Sequence, residues 1–272
     1  MERDVPREVG GGRPHDTERP DIVTSSDEYA NGRFGGAIGR WLLDEQARAM
    51  TALLDHIGGR SLRVLDLGGG HGQLTRLFVA RGHDIVVHGS TDGCFGRLES
   101  LRRAHPHRVS ASVSSLWNLP FADRLFDLVV AIRVFGHVVR WRELVAEMTR
   151  VSRQYVVIEF ARARPTSSNI LPGVGDAVFG LKRLVEKSTR PYFTYREDTL
   201  TTALTVHGFS PVAVRGQFAM PMALHRMGRS PVASRAIEGT LRHIGIGARF
   251  RSPALLLAER APDRAETNEA RR

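Results

Sequence analysis

A chain of 272 residues, 42% hydrophobic and 25% charged, can bury one substantial core and has the composition of a soluble globular protein. It shows no apolar run near the ~20 residues that span a bilayer and no apolar core for a secretion signal in its polar N-terminus, and its single cysteine, Cys94, excludes an internal disulfide; the expected location is the cytoplasm. The net charge of +10 is uneven: residues 1–33 carry five Arg against eight Asp and Glu, residues 160–260 carry fifteen Arg and Lys against six acids, and that basic surplus favours an anionic partner.

Residues 1–33 read as a disordered tail, rich in Pro, Gly and charge, and 261–272 as a second one. Between them lies one domain, 34–260. Ile38, Trp41, Leu42, Ala49, Leu53 and Leu54 recur at helical spacing, which predicts an N-terminal helix over 34–57, ended by Gly58 and Gly59. Strand and helix then alternate, the pattern of a parallel sheet. Strands are expected at 62–67, 84–88, 108–113, 126–132 and 154–160. Helices fall between them at 72–81, near 93–104 and at 140–150. After strand five, 161–173 reads as a loop, 174–188 as a helix and RPYFTYRED as a connector. Glu197 or Asp198 opens the next helix, which Gly208 ends. A sixth strand follows at 209–218, then a helical insertion at 219–248, then a last strand at 253–260. The fold class is α/β: a Rossmann-like, seven-stranded, mostly parallel sheet flanked by helices.

The segment LRVLDLGGGHGQL at 62–74 carries the sharpest functional signal. An apolar strand ends at Asp66, and Gly68, Gly69, Gly70 and Gly72 lead directly into a helix. Glycine lets the backbone turn sharply and a ligand approach closely, and a helix N-terminus offers free N–H groups. The crevice beyond the first strand is the usual ligand site of an open α/β sheet. A dinucleotide fingerprint would need its third glycine at position 73, where Gln73 stands. The glycines fall instead at alternate positions, with Asp66 two residues before the first. A glycine-rich turn in another α/β protein remains the plain alternative.

This spacing resembles motif I of the class I S-adenosylmethionine-dependent methyltransferases. A second match is NLPFADRLFDLVVAIRVFGHV at 118–138, similar to the family's L-P-F loop followed by F-D-x-V. The resemblance implies that Asp66, Gly68, Gly69, Gly70 and Gly72 hold the methionine end of S-adenosylmethionine. It places His71 beside the cofactor and the LPF loop near the adenine. It gives Asp127 a role in sheet structure, the N-terminal helix a covering role, and the 219–248 insertion the role of a specificity lid. Two positions depart from the pattern. Gly89 stands where an acid commonly holds the ribose, leaving Ser90, or Asp92 three residues on, as the candidate. Ser115 stands where an acid often meets the adenine amino group, with Leu116 beside it. Each charge-assisted bond is worth about 1.5–3 kcal/mol, so losing two bears directly on affinity.

Candidates for chemistry cluster at the carboxyl ends of strands four and five. Methyl transfer to a hydroxyl needs alignment, exclusion of water and removal of a proton. His137 suits a general base, and Arg133 could hold an anionic acceptor. Glu159, Arg190, Tyr192 and His225 are expected to contact substrate, with Glu186, Tyr195 and Arg226 nearby. His105 and His107 have no further ligands in reach, so no metal site is expected. The sequence thus points to an S-adenosylmethionine-dependent methyltransferase acting on a small or medium acceptor, anionic in character, with oxygen favoured over nitrogen. Nucleic acid is disfavoured as a partner. The alternative is a non-catalytic ligand-binding protein with the same fold.

Overall fold

Short apolar runs, each ending in glycine or a turn, build the central layer of the computed structural model, which describes residues 7–8, 26–70, 72–163, 193–243 and 251–262. The strands are β1 (Arg63–Leu67), β2 (Asp84–Gly89), β3 (Val109–Val113), β4 (Phe126–Ala131), β5 (Ser152–Phe160), β6 (Phe209–Gly216) and β7 (Ala254–Arg260). They lie in the order β3-β2-β1-β4-β5-β7-β6, and β7 runs antiparallel to both its neighbours. β4 is central, and Leu128, Val129, Val130 and Ala131 are wholly buried. Burying each larger side chain contributes roughly 1.5–3 kcal/mol. The order reverses at β1, where Asp66 lies level with Val87 of β2 and Val130 of β4. Loops on either side diverge there and leave a crevice.

Alternation along the strands gives the sheet two apolar faces. Residues 34–57 cover one of them with helix α2 (Gly36–Ile57), through Met50, Leu53 and Leu54, and α3 (Gln73–Ala80) adds Leu74 and Phe78. The other face takes Trp141, Leu144 and Met148 of α5 (Trp141–Val151), with Leu200 and Leu204 of α6 (Glu197–Val206). Asp127 sits at an irregularity between β4 and β5, where it accepts the Arg63 N–H at 2.9 Å and pairs with Arg153. Its role in the sheet is the one the resemblance implied.

Three boundaries differ from the sequence reading. The drawn tail ends early, because Asp27–Phe34 forms a helix, α1, whose N-cap Ser26 accepts the Tyr29 N–H. Only Ala30 of α1 is buried, so no apolar stripe announced it. Gly35 is extended and Gly36 has φ +68°, which separates α1 from α2. The helix expected near 93–104 is split into a short 3-10 turn, Asp92–Phe95, and α4, Glu99–Ala104. Gly93 and Gly96 weaken helix between them. Finally, Arg7–Glu8 pairs antiparallel with Phe193–Thr194 as a two-residue ribbon. The insertion is helical as expected, with α7 (Met222–Gly228) and α8 (Pro231–His243). The helix expected at 174–188 lies outside the described residues.

Candidate active site

The glycine loop is built around a buried carboxylate. Asp66, next to last in β1, has 2% of its surface exposed and accepts one hydrogen bond, from the Thr75 hydroxyl at 3.2 Å. Its other oxygen, Oδ1, accepts none. Burial lifts its pKa from the usual 3.8 to about 7, against the opposing pull of the Thr75 bond and the Arg133 charge. A Cβ at Gly69 would stand 2.2 Å from Asp66 Oδ2, so only glycine lets the loop cross here. Gly68 and Gly72 hold φ of +71° and +67°, and Gly72 caps α3. Gly70 is buried within the same turn.

Arg133 joins this loop to a larger cleft. It follows β4 with φ +62°, a left-handed conformation unusual for a side-chain-bearing residue. Its N–H donates to Glu159 Oε2 at 2.8 Å, which holds that backbone in place. Its guanidinium donates to the side-chain oxygens of Gln46 and Gln73 and lies 4.2 Å from the Phe34 ring centre. Gln73, the residue that breaks the dinucleotide pattern, also donates to the Leu43 carbonyl. Its amide therefore ties α3 to α2 and orients Arg133. One small pocket lies under the glycine loop, between Asp66, Gly68, Gly69, Gln73 and Arg133. A second cleft of about 610 Å³, open to solvent, shares Gln46 and Arg133 with it and extends past His137, Phe160, Met222 and Arg226.

His137 closes a 3-10 turn, Phe135–His137, and lines this second cleft half-buried. Tyr195, buried behind the turn, donates its hydroxyl to the Phe135 carbonyl at 2.9 Å. It lies 3.4 Å from the Val138 carbonyl as well, so it brackets the histidine. The LPF loop has its own clamp. Arg150 donates to the Leu119 and Phe121 carbonyls, and Glu147 accepts the Leu119 N–H. Hydrogen bonds from the Arg150 guanidinium, aided by the Leu119 N–H, hold the Glu147 carboxyl below the usual range.

Several expected contacts fall elsewhere. His225 is buried inside the insertion, bonded to Glu238 at 3.0 Å and packed edge-on against Trp41. It lines neither of these two pockets, and its ring is engaged by Glu238 within the insertion. Glu159 lines the cleft, but Oε1 accepts from Gln46 and Gln217 and Oε2 from Arg133 N–H. It braces the wall with both oxygens engaged. The Leu116 side chain is buried in the core. Ser115 is exposed and caps the next turn by accepting the Trp117 N–H. Ser90 is half-buried just beyond β2, and Asp92 is exposed at the head of the 3-10 turn. At Gly89 a Cβ would meet Cys94 and the Phe95 ring at 2.9 Å, so the place of the expected acid is filled by aromatic packing. Arg190, Tyr192 and His71 lie outside the described residues. Gln46, Gln73 and Gln217 were missed; Gln46 at least was signalled, since it interrupts the apolar stripe of α2.

These residues fit S-adenosylmethionine at its methionine end. The buried Asp66 Oδ1 offers an acceptor to an ammonium, Arg133 offers charge to a carboxylate, and the loop leaves Cβ-free backbone beside both. Comparison with known proteins agrees. A family model described as a methyltransferase domain matches residues 64–154. The ubiquinone/menaquinone biosynthesis C-methyltransferase UbiE of Pseudomonas aeruginosa is 30% identical over 185 residues, covering 60% of this chain and 71% of that protein. The biotin biosynthesis bifunctional protein BioHC of Cellvibrio japonicus is 26% identical over 205 residues, 66% of this chain, and the chain spans only 38% of its length. In fold, magnesium protoporphyrin IX methyltransferase of Synechocystis PCC 6803, solved with bound SAH, gives a TM-score of 0.60 at 13% identity, over 89% of this chain and 98% of that one. The alternate-glycine cradle, the matched domain and a relative sharing most of its length lead to one assignment: the chain belongs to the class I S-adenosylmethionine-dependent methyltransferases.

Proposed function

We propose that the protein methylates an oxygen of a small or medium-sized, negatively charged acceptor, with His137 as general base. The observation that carries this reading is the adjacency of the two pockets. The pocket under the glycine loop and the 610 Å³ cleft share Gln46 and Arg133, and His137 stands on the wall of the second. When bound, S-adenosylmethionine supplies an electrophilic methyl group on a sulfonium. Asp66, Gly68, Gly69, Gly70 and Gly72 would hold its methionine end, and Ser90, Ser115 and the Leu116 backbone the remainder. His137 would take the proton of the acceptor hydroxyl as the oxygen forms its bond to carbon. Arg33, Arg133 and Arg226 line the cleft and supply positive charge for an anionic acceptor, and Tyr29, Phe34 and Phe160 supply apolar wall. α7 and α8 would act as the lid, since Met222 and Arg226 of α7 reach the cleft.

The test is His137→Gln. Turnover should fall by about 10²–10⁴ while S-adenosylmethionine affinity, measured by calorimetry, stays within error. Unchanged turnover removes His137 from the mechanism. Because the P. aeruginosa relative is named a C-methyltransferase, the methylated atom is best read directly, by NMR of product carrying a ¹³C-labelled methyl group. A methyl carbon bonded to carbon overturns the oxygen assignment.

A second reading, ligand binding without catalysis, draws on the packed site at Gly89 and the exposed Ser115. Calorimetry separates the two. Absence of binding by both S-adenosylmethionine and its demethylated product, to folded protein at millimolar ligand, rejects the enzyme reading.

A further inference from the structure

Helix α8 is turned inside out. Its two fully buried residues, Ser234 and Glu238, are polar, while Val232 and Ile237 are exposed and Leu241 is half-buried. Val232 is 77% exposed and Ile237 43%, with Met227 of α7 beside the start of α8 at 47%. Ala233 and Ala236 are exposed with them. At 100° per residue, Val232, Ala233 and Ala236 share one side of the helix, opposite Ser234 and Glu238, and Ile237 flanks them. The reason for the inversion lies beneath. Glu238 accepts the Ala219 and Met220 N–H groups and the His225 ring, so the inner side is used for a polar lock and the apolar side is left facing out.

Charge is just as one-sided. Between residues 219 and 243 the sole acid is Glu238, which is wholly buried. Arg229 and Arg235 are exposed, whereas Arg242 turns back to Glu45 at 3.9 Å. The outer surface of this segment therefore carries aliphatic side chains and positive charge, with no exposed carboxylate. None of these exposed residues lines either pocket.

We propose that the outer face of α8, with Met227, docks on an anionic lipid bilayer. Exposed aliphatic groups beside arginines are what a helix lying in the interface requires, with its apolar side chains among the acyl boundary and its arginines at headgroup phosphates. Nucleic acid would answer the charge but leave the aliphatic surface unexplained, since base recognition uses aromatic side chains and the exposed face of α8 has none. Spanning is excluded among the described residues, where no helix is long and apolar enough to cross a membrane. The binding is thus peripheral. It is independent of the acceptor and of His137.

The test is sedimentation of the full chain with sucrose-loaded vesicles, of phosphatidylcholine alone or with phosphatidylglycerol added. Binding should require phosphatidylglycerol and weaken as salt rises. Arg229→Gln/Arg235→Gln should lower the partition coefficient by roughly tenfold or more. Val232→Ser/Ile237→Ser should lower it by a similar factor while the circular dichroism spectrum is kept, since Val232 is mostly exposed and Ile237 nearly half so. Failure to bind mixed vesicles at low salt overturns the proposal, as does equal binding to neutral vesicles or wild-type binding by both variants. Two further outcomes also overturn it. One is single-stranded RNA binding that the arginine pair reduces while Val232→Ser/Ile237→Ser leaves vesicle binding intact. The other is a concentration-dependent dimer that Val232→Ser/Ile237→Ser dissolves, which would make a second copy the occupant.

Discussion

Replacing Asp66 by asparagine isolates the energetic consequence of burying a carboxylate under the glycine loop. The group is ionised near its usual 3.8 in the unfolded chain, and burial raises it to about 7 in the native protein. Between those values the native state binds more protons than the unfolded state. Stability therefore falls as pH rises through that window, and stays reduced above it. At about 1.4 kcal/mol for each tenfold change in proton affinity, the difference reaches about 4 kcal/mol above pH ~7 and vanishes below pH ~3.8. Asp66→Asn keeps the shape and removes the titration. The variant should match wild type near pH ~4 and be more stable by up to about 4 kcal/mol near pH ~8. Urea unfolding followed by tryptophan fluorescence across this range measures the difference directly. The same substitution should weaken S-adenosylmethionine binding, because a carboxylate that can pair with an ammonium becomes a neutral amide. A difference in stability that does not grow with pH refutes the account of Asp66.

The filled space at Gly89 predicts that restoring the family acid will fail. Gly89→Asp should destabilise the protein by about 1–3 kcal/mol or more through overpacking against Cys94 and Phe95, with no gain in cofactor affinity. Adding Phe95→Ala should recover affinity relative to the single variant, as read by thermal melting and calorimetry. Tyr195→Phe removes the donor to the Phe135 carbonyl behind His137 and should lower stability by about 1–3 kcal/mol. If Tyr195 positions the base, kcat falls while the cofactor dissociation constant holds and the pH profile of kcat shifts. A loss of stability alone leaves Tyr195 a structural residue.

The sheet was readable because each strand is an apolar run with its own terminator, and because glycine spacing is a backbone requirement that leaves a direct trace. What escaped depends on how side chains meet in space, which no spacing rule in the sequence announces. Asp66 reads as a motif residue, but its missing hydrogen bond is visible only once Thr75 and Gly69 are placed around it. Gly89 reads as a lost carboxylate until Phe95 is seen against it. His225 suggests an acceptor contact from composition, yet the carboxylate that claims it lies thirteen residues on. Glu159, Gln46, Gln73 and Gln217 come from four separate elements, and no spacing rule joins them. Helix α1 was read as tail because only Ala30 of it is buried, so its residues carry no apolar period to mark a helix.

The lock at Glu238 has a consequence for how such a protein could change over time. By gripping the Ala219 and Met220 N–H groups, a residue near the end of the insertion fastens its beginning. The segment between β6 and β7 is thereby a stitched loop whose internal bonds do not call on the sheet. Substitutions on its cleft-facing or outward sides can accumulate without loosening that stitch. Acceptor preference and surface attachment could therefore be rewritten within one exchangeable cassette, while the glycine cradle beneath it stays as it is.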